Sequence, residues 1–156
     1  MATSILKNTA QEVVVKVAGT AGSDTISLAT DILAPTQELD GGTQTVNIVG
    51  IAWMGAVGSS IQITRNSTVV MTMGSEAAAL FDFTGQGMVP DTTENTSDLT
   101  VTITGTQAEC WIRLRKVSGY KTKVEYATYG SYEDESRVGA STTINGSPDY
   151  VPPPSP

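Results

Sequence analysis

Hydrophobic and polar residues alternate with a period of two along much of the chain, and residues 99–117 show this pattern most clearly. Two alternating segments there flank the sequence Gly105-Thr106-Gln107, which is typical of a turn. The apolar positions of the two segments are Leu99, Val101, Ile103, Cys110, Ile112 and Leu114. Since a helix cannot satisfy this period, the stretch predicts a β-hairpin whose apolar face must be covered by a second layer.

Other segments also predict strands. Residues 12–17 place three valines on one face. Residues 43–54 form the most apolar extended segment, with apolar residues on both faces, which predicts a central strand covered on both sides. Gly50 within it predicts a bulge or a close packing contact. Residues 61–73 predict a second hairpin around Asn66-Ser67. Together these elements predict an all-β fold, an antiparallel β-sandwich of immunoglobulin-like or jelly-roll-like type.

The changing composition along the chain predicts three parts. Residues 1–11 are mostly polar and turn-prone, which favours an extended N-terminal arm. Residues 12–126 form the predicted sandwich body, with a last strand over 120–126 and a single short helical turn over 75–80. Residues 127–156 are rich in Gly, Ser, Asp, Glu and Pro and predict an extended C-terminal docking tail.

Length and cysteine content bound the class of protein. At 156 residues the chain suits a single domain with its own core. Cys110 is the only cysteine, and its inward phase predicts a buried structural thiol. No segment approaches membrane-spanning length, and the N-terminus lacks the pattern of a secretory signal. We therefore expect a chain made in a reducing compartment, without a membrane partner.

Charge and residue types argue against several functions. The formal net charge of -7 would repel a phosphate backbone, so nucleic-acid binding is not expected. The chain contains no histidine, which removes the usual general base and the usual zinc ligand. Asp91, Glu94 and Asp98 offer oxygen atoms to calcium, but their spacing is not that of an EF-hand, which favours a solvated loop. We predict no catalytic residue, cofactor or metal, and expect the chain not to be an enzyme.

Candidate interface residues lie on one predicted strand and in the tail. Trp111, Arg113 and Arg115 share a strand face. One interpretation is that Trp111 packs against neighbouring strands while the arginines reach solvent. The other is a protein-contact patch, since Trp and Arg often anchor interfaces. Tyrosines spaced along a polar tail are suited to the grooves of a partner and extend this hypothesis. These are Tyr126, Tyr129, Tyr132 and Tyr150.

Four segments carry a family resemblance: TAQEVVVKVAG, TQTVNIVGIAW, ITRNSTVV and WIRLRKVSGYKTKVE. Together they resemble small β-rich virion structural proteins of tailed bacteriophages, especially those of cyanobacteria, over most of residues 5–140. These are packing motifs, so no catalytic residue is carried over. The resemblance implies a non-enzymatic subunit that is made in the host cytoplasm, assembles into the virion in many copies, and binds the major capsid protein or other virion subunits.

Three functional hypotheses follow. The favoured one is a capsid decoration (cement) protein on the capsid surface, which forms a homo-oligomer and fastens neighbouring capsid subunits through linked weak contacts and sheet edges. A neck or tail component would share the same composition and fold. The third is a carbohydrate-binding module on a fibre, in which Trp53, Trp111 and the tyrosines would stack on sugar rings.

Overall fold

The computed structural model describes residues 1–74, 78–84 and 94–123, and residues 1–122 form one compact unit. The described residues contain eleven β-strands and no helix. The strands form a five-stranded sheet, a four-stranded sheet and a two-stranded ribbon, and all paired neighbours are antiparallel. The fold is therefore the predicted all-β, antiparallel sandwich.

The strand order within each sheet departs from the order along the chain. The five-stranded sheet has the order β1 (Ala2–Asn8), β2 (Glu12–Gly19), β10 (Ala108–Ser118), β5 (Thr45–Gly55) and β8 (Ala79–Asp82). The four-stranded sheet has the order β3 (Gly22–Ile26), β9 (Leu99–Thr104), β6 (Ser60–Arg65) and β7 (Thr68–Gly74). The ribbon pairs β11 (Tyr120–Thr122) with β4 (Gln37–Leu39). Non-consecutive strands are thus neighbours in every sheet.

The core lies between the two larger sheets. Each central strand buries every second residue, because successive side chains of a strand point to opposite faces. The core contains aliphatic residues of both sheets, and burying each one contributes about 1.5–3 kcal/mol relative to leaving it exposed. Arg65 is the one charged side chain in this interior among the described residues, and its Nη1 donates a hydrogen bond to the Val46 carbonyl oxygen at 2.8 Å.

The hairpin predicted over residues 99–117 is wrong in its pairing, although its two strands are present. β9 pairs with β3 and β6 in the four-stranded sheet, whereas β10 pairs with β2 and β5 in the five-stranded sheet. Gly105-Thr106-Gln107 carries the chain from one sheet to the other, so the apolar sides of β9 and β10 both face the core. Alternation determines which face of a strand is buried, but it does not determine the neighbouring strand.

Three crossings between the sheets meet at this end of the sandwich, namely β2 to β3, β5 to β6 and β9 to β10. The Ala21 amide donates to the Gly105 carbonyl oxygen at 3.2 Å, and the Gln107 amide donates to the Ser59 hydroxyl at 3.3 Å. Gly105 has a φ of 102°, and a Cβ there would lie 2.7 Å from the Ser59 Cα. The β9–β10 crossing therefore requires glycine at position 105.

Most of residues 1–11, predicted as an extended N-terminal arm outside the sandwich body, belong to the five-stranded sheet as β1. β1 pairs along β2, with Ser4 opposite Lys16, so β1 is the edge of the five-stranded sheet and β2 is an inner strand. Ile5 and Leu6 are both exposed, so β1 contributes little to the core. An edge strand that contributes so little to the core has no alternating pattern by which to recognise it.

The remaining predictions of local structure have mixed outcomes. The hairpin over 61–73 is confirmed as β6 and β7, and the register shift opposite Arg113 and Leu114 confirms the bulge beside Gly50. The helical turn is wrong at its second half, since Ala79 and Leu80 belong to β8. The described chain ends at Lys123, so the continuation of the last strand to residue 126 and the tail over 127–156 lie outside the described residues.

Candidate protein-contact face

The outer face of the five-stranded sheet, opposite the core, carries the candidate residues of β10. Trp111 and Arg115 are exposed and Arg113 is half-buried, while the alternate residues Cys110, Ile112 and Leu114 are buried. The strand thus places the three candidates on one side, as predicted. Trp111 is 44% exposed, so part of its ring lies against the sheet and part of it faces solvent.

Ion pairs and hydrogen bonds hold Trp111 in place. The Trp111 indole N–H donates to Glu109 Oε1 at 2.9 Å, and Lys16 Nζ lies 3.1 Å from Glu109 Oε2 and 5.8 Å from the centre of the Trp111 ring. The hydrogen bond from Trp111, followed by that from Lys16, lowers the pKa of Glu109. The ring is therefore fixed at the surface before any partner arrives, which reduces the entropy that binding would cost.

Arg113 is fixed by a charged partner from the neighbouring strand. Its Nε and Nη2 donate to Glu12 Oε1 at 3.1 and 2.8 Å, and Lys7 Nζ lies 3.1 Å from Glu12 Oε2. The hydrogen bond from Arg113 and then that from Lys7 lower the pKa of Glu12. Arg115 forms no ion pair with any residue in the described ranges. It is the candidate cation best placed to meet a charge from outside.

Small residues on β5 create a groove beside Trp111. Ala52 pairs with Trp111 of β10 on one side and with Leu80 of β8 on the other. Gly50 pairs in the same way with Arg113 and Asp82. Two ridges therefore flank a floor that rises no higher than a methyl group. We call this groove the outer trough, with Gly50 and Ala52 as its floor, Trp111 and Arg113 as one ridge, Leu80 and Asp82 as the other, and Met54 at its end.

The outer trough is apolar and open. The part around Trp111 has a volume of about 490 Å³. Leu80 is 71% exposed and Met54 is 53% exposed, so large apolar side chains on both sides of the floor face solvent. Contiguous exposed apolar surface with a charged rim is typical of a site that binds another protein.

Sequence reasoning missed the contribution of β5 and β8 to this face. Residues 43–54 were expected to be covered on both sides, whereas after the bulge Ile51 and Trp53 point into the core and Ala52 and Met54 point outwards. The alternation Ile51-Ala52-Trp53-Met54 carries that signal in the sequence. Leu80 carried no such signal, because its exposure depends on β8 being the outer strand of the sheet.

The other candidate aromatic residues do not extend this face. Trp53 is 8% exposed, and its indole N–H donates to the Gly74 carbonyl oxygen at 2.9 Å, so it belongs to the core. The carbohydrate-binding alternative therefore loses one of its two tryptophans as a stacking surface. Tyr126, Tyr129, Tyr132 and Tyr150 lie outside the described residues.

Cys110 and the acidic loop are the remaining candidates for reactive or metal-binding chemistry. Cys110 is buried and free, and burial raises the pKa of its thiol to about 12, as expected for a structural thiol. Within the described ranges no group of three or more acidic, His or Cys side chains is placed to hold a metal. Of the acidic loop, Asp98 accepts a hydrogen bond from the Leu28 amide at 2.8 Å, while Asp91 lies outside the described residues.

Lys116, on the same strand as the candidates, is enclosed by oxygen atoms. Its Nζ donates to Asn8 Oδ1 at 3.0 Å, to the Thr9 carbonyl oxygen at 2.8 Å and to Gln37 Oε1, and it lies 5.2 Å from the centre of the Tyr120 ring. Burial lowers the pKa of Lys116 to about 8. These contacts join β1, β4 and β10, so the role of this side chain is structural.

Comparison with known proteins gives no identification: no protein-family model, curated protein or solved structure matches the chain. Among the described residues, no helix has the length and apolar character needed to cross a membrane.

Proposed function

We propose that this protein is a non-enzymatic structural subunit of a phage virion that decorates the capsid by binding the major capsid protein. The observation that carries the contact role is the outer trough, where Trp111 stands fixed and half-exposed beside exposed Met54 and Leu80. The resemblance of the four sequence segments to virion proteins supplies the setting. The protein acts by holding subunits together.

The energetics of such a contact rest on a few residues. Trp and Arg are enriched among the few interface residues whose truncation costs about 2 kcal/mol or more. Trp111 and Arg115 are placed to do so on a rigid sheet. Many copies, each with a modest affinity, would then reinforce a shell through their combined contacts. The net charge of -7 would keep decorated particles from adhering to one another.

The location and copy number of the chain in the intact particle test this proposal. Imaging at a resolution that traces the backbone should find the chain in hundreds of copies on the head shell, with the outer trough facing a neighbouring subunit. A dozen copies or fewer at the neck or tail would replace decoration by the second candidate, a connector component. Absence from the particle would refute both.

A surface variant tests the role of the face itself. Trp111→Ser should reduce occupancy of the particle severalfold while the purified protein keeps its unfolding midpoint, because Trp111 lies outside the core. Val69→Ser is the matched control, since Val69 is 50% exposed on β7 of the four-stranded sheet. Equal occupancy for both variants would remove the outer trough from the contact.

A deletion tests the tail. Removing residues 127–156 should lower occupancy while leaving β1–β11 intact, since all the described strands lie before residue 123. Incorporation of the shortened chain at full stoichiometry would show that the tail is not a docking element.

A further inference from the structure

The outer trough has the dimensions of a site for one aromatic chain segment. Its ridges lie on β10 and β8, two strand spacings apart, which is about 10 Å. Its length from Gly50 to Met54 is four residues of strand, or about 13 Å. The floor is narrow enough for a flat ring to touch both ridges at once.

We propose that the outer trough of one copy binds residues 126–135 of a second copy of this chain. We call these residues the tyrosine segment. The inference rests on the proposed structural role for its purpose. It assigns the outer trough to the contact between neighbouring copies in the shell, so that other surfaces of each copy bind the capsid protein. There are three reasons: the spacing of the tyrosines, the charges at the two ends of the trough, and the distance that the chain can span beyond Lys123.

The spacing of aromatic residues in the tyrosine segment matches the trough. Tyr126, Tyr129 and Tyr132 recur every third residue, with small or polar residues between them. A three-residue repeat places side chains on one edge of a polyproline-II chain, about 9 Å apart. Two neighbouring rings therefore fit within the length of the trough, against Trp111 and Leu80.

Charge determines the direction of the segment. Three carboxylates, those of Glu133, Asp134 and Glu135, follow the last tyrosine of the repeat. Beyond the Arg113 end of the trough lies Arg115, exposed and without an ion pair to any of the described residues, whereas Glu109 lies at the Met54 end. The acidic end of the segment should therefore lie toward Arg115, with Tyr126 toward Met54.

The distance from Lys123 to the Met54 end of the trough then requires that the segment come from a second copy. The described chain ends at Lys123, next to Thr122, which pairs with Gln37, and Gln37 accepts a hydrogen bond from Lys116. From Lys116 back to Glu109 is seven residues of β10, about 24 Å. Tyr126 follows Lys123 by three residues, a reach of about 10 Å. A segment in this direction must therefore come from another molecule.

A complementation experiment with full-length chains tests the proposal by sedimentation velocity. Wild-type protein should self-associate. Ala52→Phe fills the floor of the trough, and the double variant Tyr129→Ser/Tyr132→Ser removes two rings. Each variant alone should raise the dissociation constant at least about thirtyfold, which corresponds to about 2 kcal/mol. A mixture of the two should form a 1:1 pair, because one supplies an intact segment and the other an intact trough.

Controls separate this contact from general damage. Val69→Phe adds the same ring to an exposed position of the four-stranded sheet and should leave self-association unchanged. Should Ala52→Phe not fold, charge reversal provides a second route: Arg115→Glu alone and Glu133→Arg/Glu135→Arg alone should each weaken association, and their mixture should restore it. Trp111 fluorescence should be shielded from iodide only in associating samples.

A monomeric wild type, undiminished association of both variants, or a mixture that fails to pair would each overturn the inference. A monomer whose Trp111 is nevertheless shielded from iodide would also overturn it, because the trough would then be filled within one molecule. These outcomes are independent of the particle. Self-association through the trough in a protein absent from the virion would refute the proposed function and leave this inference standing.

Discussion

The turn between β6 and β7 and the crossing between β9 and β10 both reverse the chain after an alternating strand. β6 and β7 stay in one sheet and pair with each other, with Arg65 opposite Thr68. β9 and β10 enter facing sheets and share no backbone pairing. The difference shows that the connection, together with the contacts around it, decides whether two such strands become neighbours.

The two connections differ in what holds them. Asn66 and Ser67 have φ values of 46° and 66°, the two-residue geometry whose twist matches paired strands. That turn needs no other part of the chain. Gly105 instead lies against Ser59 and accepts a hydrogen bond from Ala21, two residues that come from the other crossings. The β6–β7 turn is thus specified locally, and the β9–β10 crossing by non-local contacts.

The largest effect is expected from breaking the crossing. Gly105→Ala should lower the free energy of unfolding by about 3–5 kcal/mol, because a Cβ would overlap the Ser59 backbone and the positive φ adds strain. Urea unfolding followed by circular dichroism measures the change. A loss below about 1 kcal/mol would contradict the tight approach at this corner.

Two other glycines separate the causes of that loss. Gly58 has a φ of 81° but nothing within 4 Å of an added Cβ, so Gly58→Ala should cost about 1–2 kcal/mol from backbone strain alone. Gly74 has open space and no positive φ, so Gly74→Ala should be neutral or stabilising by about 0.5 kcal/mol. The difference between Gly105→Ala and Gly58→Ala measures the steric overlap, and the difference between Gly58→Ala and Gly74→Ala measures the backbone strain.

Cys110 tests whether the four-stranded sheet covers β10. Its ordinary pKa is 9.0, and burial raises it to about 12 in the folded protein. Between these values the unfolded thiol loses its proton while the folded thiol keeps it, so the stability that wild type holds over Cys110→Ala should fall as pH rises. The expected slope is at most about 1.4 kcal/mol per pH unit.

The comparison with Cys110→Ala at each pH cancels the titration of all other groups. Unfolding by urea at several pH values between 8 and 11 provides the measurement. A difference that stays constant with pH, or a native thiol that reacts as fast as one in the unfolded chain, would mean that the inner face of β10 is open to solvent.

The sequence predicted the strands better than their arrangement. Alternation located β2, β6, β9 and β10, because burial of one face imposes that pattern on each strand by itself. The turn residues Asn66-Ser67 located β7 as the returning strand of a hairpin. Alternation could not show that β9 and β10 lie in different sheets, since the contact between Gly105 and Ser59 joins residues 46 positions apart. β1 was missed because an exposed edge strand buries too little to need the pattern.

The candidate face could be predicted only in part, for the same reason. Trp111, Arg113 and Arg115 share one strand, so their common side follows from the period of two. The trough beside them depends on β5 and β8 lying next to β10, which is a matter of strand order. A small residue such as Ala52 indicates a groove only when the large side chains on the two neighbouring strands, here Trp111 and Leu80, are known.

Lys116 tests the non-local ties at the other end of β10. Lys116→Met keeps most of the packing of the side chain but removes the donor to Asn8, Thr9 and buried Gln37, so it should cost about 1–3 kcal/mol. Lys121→Met is the matched control, since its exposed ion pair with Glu38 should contribute less than about 0.5 kcal/mol. Thermal and urea unfolding of both variants provide the comparison.

The pH dependence of the Lys116 effect has a defined sign. Its folded pKa of about 8 lies below the ordinary 10.5, so between these values the unfolded state holds more protons and the contribution of Lys116 rises with pH. The difference between wild type and Lys116→Met should therefore grow from pH 8 to 10. Equal effects of Lys116→Met and Lys121→Met at all pH values would show that the oxygen atoms around Lys116 do not tie β10 to β1 and β4.

The smallest effect should come from improving the local turn. Ser67→Gly should stabilise the protein by about 0.5–1 kcal/mol, because glycine adopts the positive φ of this position without strain and Asn-Gly suits a two-residue hairpin. Thr72→Gly, within β7, should destabilise it by a similar amount, since glycine adds freedom to the unfolded chain and removes the hydroxyl to which the Gln62 side chain donates. If both changes shifted the urea midpoint in the same direction, the turn would not determine the β6–β7 hairpin. The pairing of β6 with β7 would then depend on non-local contacts with β9, as the β9–β10 crossing depends on Ser59 and Ala21.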